Sequence, residues 1–133
     1  VLYTGHSLGG ALAVLMSLVR RPSDMCTFGA PRAVDANEVG EFLKDVRITR
    51  VYAKNDFVCR MPPEFIGYKH IGDALCLEGL SSKWDSHKLS TYLAGVVGNN
   101  ITVDGDNSTV LERLSDFLSP KERDDNNDNE MQV

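Results

Sequence analysis

Three residues of this chain have the chemistry and the order of a hydrolytic site: Ser7, Asp56 and His87. A serine hydroxyl is a weak nucleophile at neutral pH. It needs a base to take its proton, commonly an imidazole whose tautomer a carboxylate fixes. Ser7 stands in Gly5-His6-Ser7-Leu8-Gly9-Gly10, a Gly-x-Ser-x-Gly pattern in which a sharp strand-to-helix turn lifts the hydroxyl above a sheet. Five-residue matches of this kind arise by chance in many chains. This one is set apart by its flanks: Val1-Leu2-Tyr3 has strand character, while Leu12, Leu15, Met16 and Val19 recur at helical spacing. Gly5 and Gly9 read as positions where the backbone folds back so closely that a Cβ would collide. Gly10, Ala11 and Ala13 would keep the helix slim enough to lie on the sheet.

The elements that must hold these residues follow in alternation. The first helix is expected to end near Arg20-Arg21, with Pro22 as its stop, and Met25 to Phe28 makes a short buried strand. Asp35 followed by Glu38 has the spacing of a helix N-terminus, with Val39, Phe42 and Leu43 as the apolar face. Ile48 to Ala53 is the next strand, Val51 and Ala53 alternating with Arg50 and Tyr52, and Ala74 to Leu77 gives a fourth. Strands alternating with helices predict a mostly parallel α/β sheet with flanking helices. Functional residues of such sheets gather at the carboxyl ends of strands, and Asp56 is placed accordingly, although an aspartate after a strand is also a common turn residue. Met61-Pro62-Pro63 predicts an extended loop.

Three histidines compete for the part of the base. His6 lies inside the turn and is expected to pack beside it. His70 precedes the fourth strand and reads as structural, yet stands as the rival. His87 follows that strand, in a polar loop ahead of a helix carrying Leu89, Tyr92, Leu93 and Val96, where a base on the last loop of the sheet belongs.

Composition narrows the classes. With 42% hydrophobic and 25% charged residues in 133, the chain has the make-up of an ordinary soluble globular domain. The net charge of −5 is largely a tail effect, since Lys121 to Val133 carries five acids against two bases. No basic stripe points to nucleic acid, and no membrane span is visible. The Asp- and Asn-rich segment Asp124 to Glu130 reads as solvated, disordered tail rather than a calcium loop. Cys26, Cys59 and Cys76 form no Cys-x-x-Cys pair, so buried free thiols are expected and no metal is indicated. Asn100-Ile101-Thr102 and Asn107-Ser108-Thr109 match the glycosylation sequon, which matters only in a secreted protein; secreted and cytoplasmic locations both stay open.

Five segments in order resemble the class 3, or fungal-type, lipase family. These are Gly5 to Ala13, Thr27-Phe28-Gly29-Ala30-Pro31-Arg32, Asn55-Asp56-Phe57-Val58 with Pro62-Pro63, Gly67 to Gly72, and His87-Lys88-Leu89-Ser90-Thr91-Tyr92-Leu93. The resemblance spans about residues 1 to 97. It implies an α/β-hydrolase fold, acyl-ester hydrolysis without metal or organic cofactor, and Ser7, Asp56 and His87 as the triad. Cys59 departs from the proline usual at its position, in the loop that holds Asp56. Because the chain opens directly on the nucleophile strand, the resemblance also implies that residues 1–119 are the C-terminal part of a larger domain, with residues 120–133 as an acidic tail. The lid and the second oxyanion donor would then lie upstream, leaving the isolated chain a poor catalyst.

The expected chemistry is that of a serine acyl-ester hydrolase on lipids at a lipid–water interface, with the amide of Leu8 facing the developing oxyanion. Acylglycerols are the first substrate class, and phospholipid or galactolipid acyl hydrolysis the alternative. A non-catalytic module of the same fold is the reading from a different class. Met61, Phe65, Ile66 and Trp84 are candidates for an acyl-chain groove, or plain packing residues. Thr109 to Leu118 is expected to form a last helix.

Overall fold

Residue alternation decides the sheet. The computed structural model describes residues 1–78, 85–98 and 101–102; the expected last helix, the acidic tail, Trp84 and both sequon asparagines lie outside the described residues. The elements are β1 (Leu2–His6), α1 (Leu8–Val19), β2 (Asp24–Phe28), α2 (Ala36–Val39), β3 (Arg47–Ala53), two 3₁₀ turns at Val58–Arg60 and Glu64–Ile66, β4 (Asp73–Leu77), α3 (Leu89–Val97) and β5 (Ile101–Thr102). The sheet order is β1-β2-β3-β4-β5. Strands β1 to β4 pair in parallel, so each must be regained by a connection across the sheet. The short β5 adds antiparallel to β4, a strand the sequence reading did not anticipate.

Registry gives each face its own core. Tyr3, Met25 and Ile48 sit side by side across β1, β2 and β3, and all three join the cluster under α1, with Ala13, Val14, Val34, Leu43 and Val46. Val51 beside Leu75, and Ala53 beside Leu77, face the other way and pack with Cys26 and Tyr92 of α3. Val51, Leu75 and Leu77 are at most 1% exposed. Burying a side chain of this kind stabilises by about 1.5–3 kcal/mol.

Three expectations need correction. The stripe of Leu12, Leu15, Met16 and Val19 is exposed, and α1 buries Gly10, Ala11, Ala13, Val14 and Ser17 instead. Small side chains win the inner face because they let the helix backbone approach the sheet. A Cβ on Gly10 would come within 2.6 Å of the Ala30 Cβ. A Cβ on Gly5 would overlap the backbone of Gly9, as expected, but one on Gly9 would meet nothing within 4 Å. The close approach thus depends on Gly5 and Gly10, not Gly9. Finally, α2 is a single turn: Asp35 caps it through the Asn37 amide at 2.9 Å, and Val39 and Leu43 turn inward, but Phe42 stays outside beneath the Arg21 guanidinium. Among the described residues no helix is long and apolar enough to cross a membrane.

Candidate active site

Ser7 is the joint between β1 and α1. Its φ of 56° and ψ of −126° make it the sole non-glycine residue at positive φ among the described residues. Such a conformation costs on the order of 1–3 kcal/mol and persists only when the surroundings over-determine it. Here the Ser7 amide donates to the Phe28 carbonyl at 2.9 Å, while the Ser7 carbonyl accepts the Gly10 amide at 3.0 Å. The turn is thereby clamped to β2 on one side and to the first turn of α1 on the other. At that helix start the Leu8 amide has no intrahelical acceptor, and the positive end of the helix dipole lies beside the serine.

Asp56 follows β3 and is wholly enclosed: its side chain is 0% exposed. A buried carboxylate must be met by donors. Its Oδ1 accepts the Val58 amide at 2.9 Å, closing an Asx turn. Its Oδ2 accepts from the Tyr92 hydroxyl at 2.6 Å and pairs with His87 Nδ1 at 2.8 Å. The Tyr92 hydroxyl in turn accepts the Ala53 amide at 3.0 Å, which directs its proton to Asp56. Burial pushes the Tyr92 hydroxyl well above its ordinary range, so it remains a donor. Gly29, at φ 58°, makes the space for this pair; a Cβ there would sit 2.9 Å from the Tyr92 oxygen and 3.0 Å from Asp56 Oδ2.

His87 closes the path. Its Nδ1 faces Asp56, and its Nε2 lies 2.7 Å from Ser7 Oγ. The structure therefore brings Ser7, Asp56 and His87 into one continuous hydrogen-bonded chain, although they are 80 and 31 residues from the imidazole in sequence. A carboxylate accepts only, so His87 Nδ1 carries the proton and Nε2 is free to take that of the serine.

The other histidines lie elsewhere in the polar network. His70 Nε2 donates to the Cys59 carbonyl at 2.7 Å, and burial, helped by the Arg50 charge, pushes the imidazole down to about 4. His6 is not merely packed beside the turn. Its ring lies 4.9 Å from that of His87 and 5.6 Å from Tyr92, and its Nε2 contacts the His87 carbonyl at 2.8 Å. Cys59 is buried, its thiol pushed up to about 12, with Sγ 3.6 Å from the Tyr92 hydroxyl. All three cysteines are buried, and none forms a disulfide among the described residues.

The roles of His6 and Tyr92 were missed by sequence reasoning. Tyr92 shows in the sequence only as one more apolar position of α3, and nothing local marks its hydroxyl as a partner of Asp56. Of the α3 face expected to be apolar and packed, Tyr92 and Val96 turn inward, whereas Leu89 and Leu93 are exposed. Met61, Phe65 and Ile66 are exposed as well, Phe65 at 88%. Among the described residues no group of three His, Cys, Asp or Glu could hold a metal ion.

Comparison with known proteins places this geometry in context. Residues 1–66 match the model of the family described as lipase (class 3). The chain is 41% identical over 93 residues to a triacylglycerol lipase of Arabidopsis thaliana, covering 56% of this chain and 17% of that protein. It is 37% identical over 84 residues to a secreted mono- and diacylglycerol lipase of Fusarium solani, covering 57% and 24%. Lipase II from Rhizopus niveus superposes with a TM-score of 0.53 at 28% identity, covering 62% of this chain and 35% of the other. The chain thus spans at most about a quarter of the length of the curated relatives it matches. Its sheet, its flanking helices and these matches together make it a member of the class 3 lipase family, with the α/β-hydrolase fold.

Proposed function

We propose that this chain carries the reacting groups of a serine acyl-ester hydrolase that acts on acylglycerols at a lipid–water interface. The observation that carries the reading is the unbroken path from Ser7 Oγ through His87 to the buried Asp56 carboxylate. His87 Nε2 takes the proton as Ser7 Oγ attacks the ester carbonyl, and Asp56 stabilises the imidazolium that forms. The tetrahedral oxyanion needs donors, and the Leu8 amide, the first of α1 and next to the nucleophile, is the one supplied here. His87 then returns the proton to the leaving alcohol. Water, activated by the same imidazole, releases the fatty acid from the acyl-enzyme.

The lipid preference is supported by the names of the two curated relatives and by apolar residues beside the site. Leu8, next to Ser7, and Phe57, next to Asp56, are 66% and 65% exposed. Exposed apolar groups around a reactive centre suit a substrate presented by a lipid surface. The test is fatty-acid release from emulsified mono-, di- and triacylglycerols by the chain and by its Ser7→Ala variant. Slow release that vanishes with Ser7→Ala is expected; release that survives it would overturn the reading.

A further inference from the structure

We propose that His6 is a positioning residue for the base: its Nε2–H holds the main-chain carbonyl of His87 and so fixes the imidazole over Ser7. The inference rests on the hydrolase reading above and adds a role for the residue that immediately precedes the nucleophile.

The need for such an anchor follows from the topology. His87 comes after β4 but must act at the end of β1, on the far side of β2 and β3. Its own segment is tied to α3: the Lys88 amide and the Thr91 hydroxyl both bond the Asp85 carbonyl, at 3.1 and 2.7 Å. Those bonds make the segment locally rigid but do not attach it to the strand carrying the nucleophile. The bond from His87 to Ser7 does reach across, yet it is made by reacting atoms and is lost once Oγ becomes an ester. The contact of His6 with the His87 carbonyl, 2.8 Å long, joins β1 to this segment without using a reacting atom. It can therefore persist through acylation and deacylation.

The chemistry of the contact fixes a tautomer. A carbonyl oxygen only accepts, so His6 Nε2 must carry a proton. The ring then packs on His87 at 4.9 Å, tilted 32°, and meets Tyr92 in a T-shaped contact at 5.6 Å. His6 thus meets both the imidazole and the tyrosine that donates to Asp56. The strained Ser7 lies next in the chain, so the position of the nucleophile and that of the base share one support.

Two measurements on the full chain test this. The first is the tautomer of His6, read by nitrogen-15 NMR of histidine-labelled protein at a pH where the imidazole is neutral. Protonation at Nε2 is expected; a proton at Nδ1 with a bare Nε2 would overturn the anchor whatever the activity. The second compares ester turnover of His6→Phe, which keeps a ring but loses the donor, with His6→Gln, whose amide can reach the same carbonyl. His6→Phe should lower kcat by about 10–100-fold with little change in KM, since misplacing a reacting group by about 1 Å costs on that order. His6→Gln should recover most of the loss. Equal kcat in His6→Phe and the parent would overturn the anchor. A Ser7→Ala control keeps the two failures apart: turnover independent of Ser7 sinks the hydrolase reading, while the tautomer still decides the contact. Should His6→Phe fail to fold, the tautomer and the Gln variant decide.

Discussion

His87 and His70 sit in two loops that the sequence offers as rivals, and their surroundings differ in kind. His87 lies between an acceptor-only carboxylate and a hydroxyl, so its two nitrogens meet groups of opposite demand: one accepts a proton from the ring and the other offers it one. His70 faces a main-chain carbonyl, with Arg50 and Arg32 near enough to disfavour a second positive charge. The first environment can hold a proton in transit. The second holds one in place and keeps the ring neutral. Which histidine serves as a base is therefore decided by its partners, and both loops could have been read either way from residue type alone.

The largest effect should come from exchanging the two. His87→Ala is expected to lower turnover by about 10⁴-fold or more, whereas His70→Gln should leave it within a few-fold. Comparable losses from both would erase the distinction. Next in size is the partner on the far side of His87. Asp56→Asn should cost about 10⁴-fold in kcat, because the amide can donate to Nδ1 and so favour the wrong tautomer; steady-state kinetics at saturating ester would show it.

Tyr92→Phe acts further from the reacting atoms, and its main effect should be on stability. It removes one donor to a carboxylate that is fully enclosed and leaves the Ala53 amide without its acceptor. A loss of about 1.5–3 kcal/mol is expected, the range for a hydrogen bond to a charged group, and thermal or urea unfolding measures it. An unchanged midpoint would mean that water replaces the hydroxyl.

The smallest effect is a pH dependence to which His70 contributes. Its folded value of about 4 lies below the ordinary 6.5, so the unfolded chain binds the extra proton first as pH falls. Its contribution is complete above 6.5 and is lost between 6.5 and about 4. Because the ring is partly exposed, solvent will reduce the amount. The decline in midpoint across that window should be shallower in His70→Gln; an identical decline would move its cause elsewhere.

How much of this could be read beforehand differs between the sheet and the helices. Strands announce themselves by alternation, and β2, β3 and β4 begin one residue before the expected start. Strand ends then locate Ser7 and Asp56. Helix α1 misleads because its large apolar residues recur at helical spacing yet point outward, while the buried face is chosen by size. Steric need at the turn follows the same logic, falling on Gly5 and Gly10 rather than on the symmetric pair the motif suggests. His87 was separable from His70 through its position after β4 and the resemblance of its neighbours. The parts played by His6 and Tyr92 were not legible, because each depends on a partner distant in sequence, His87 and Asp56, and on the aim of one polar atom.

The central claim is that these three side chains work as one unit on Ser7. A fluorophosphonate, which reacts with activated serines, tests it directly when adduct formation on the intact chain is followed by peptide mass. A single adduct on Ser7 is expected that disappears in His87→Ala and persists in His70→Gln. An adduct on another residue, or labelling of Ser7 that ignores His87, would contradict it.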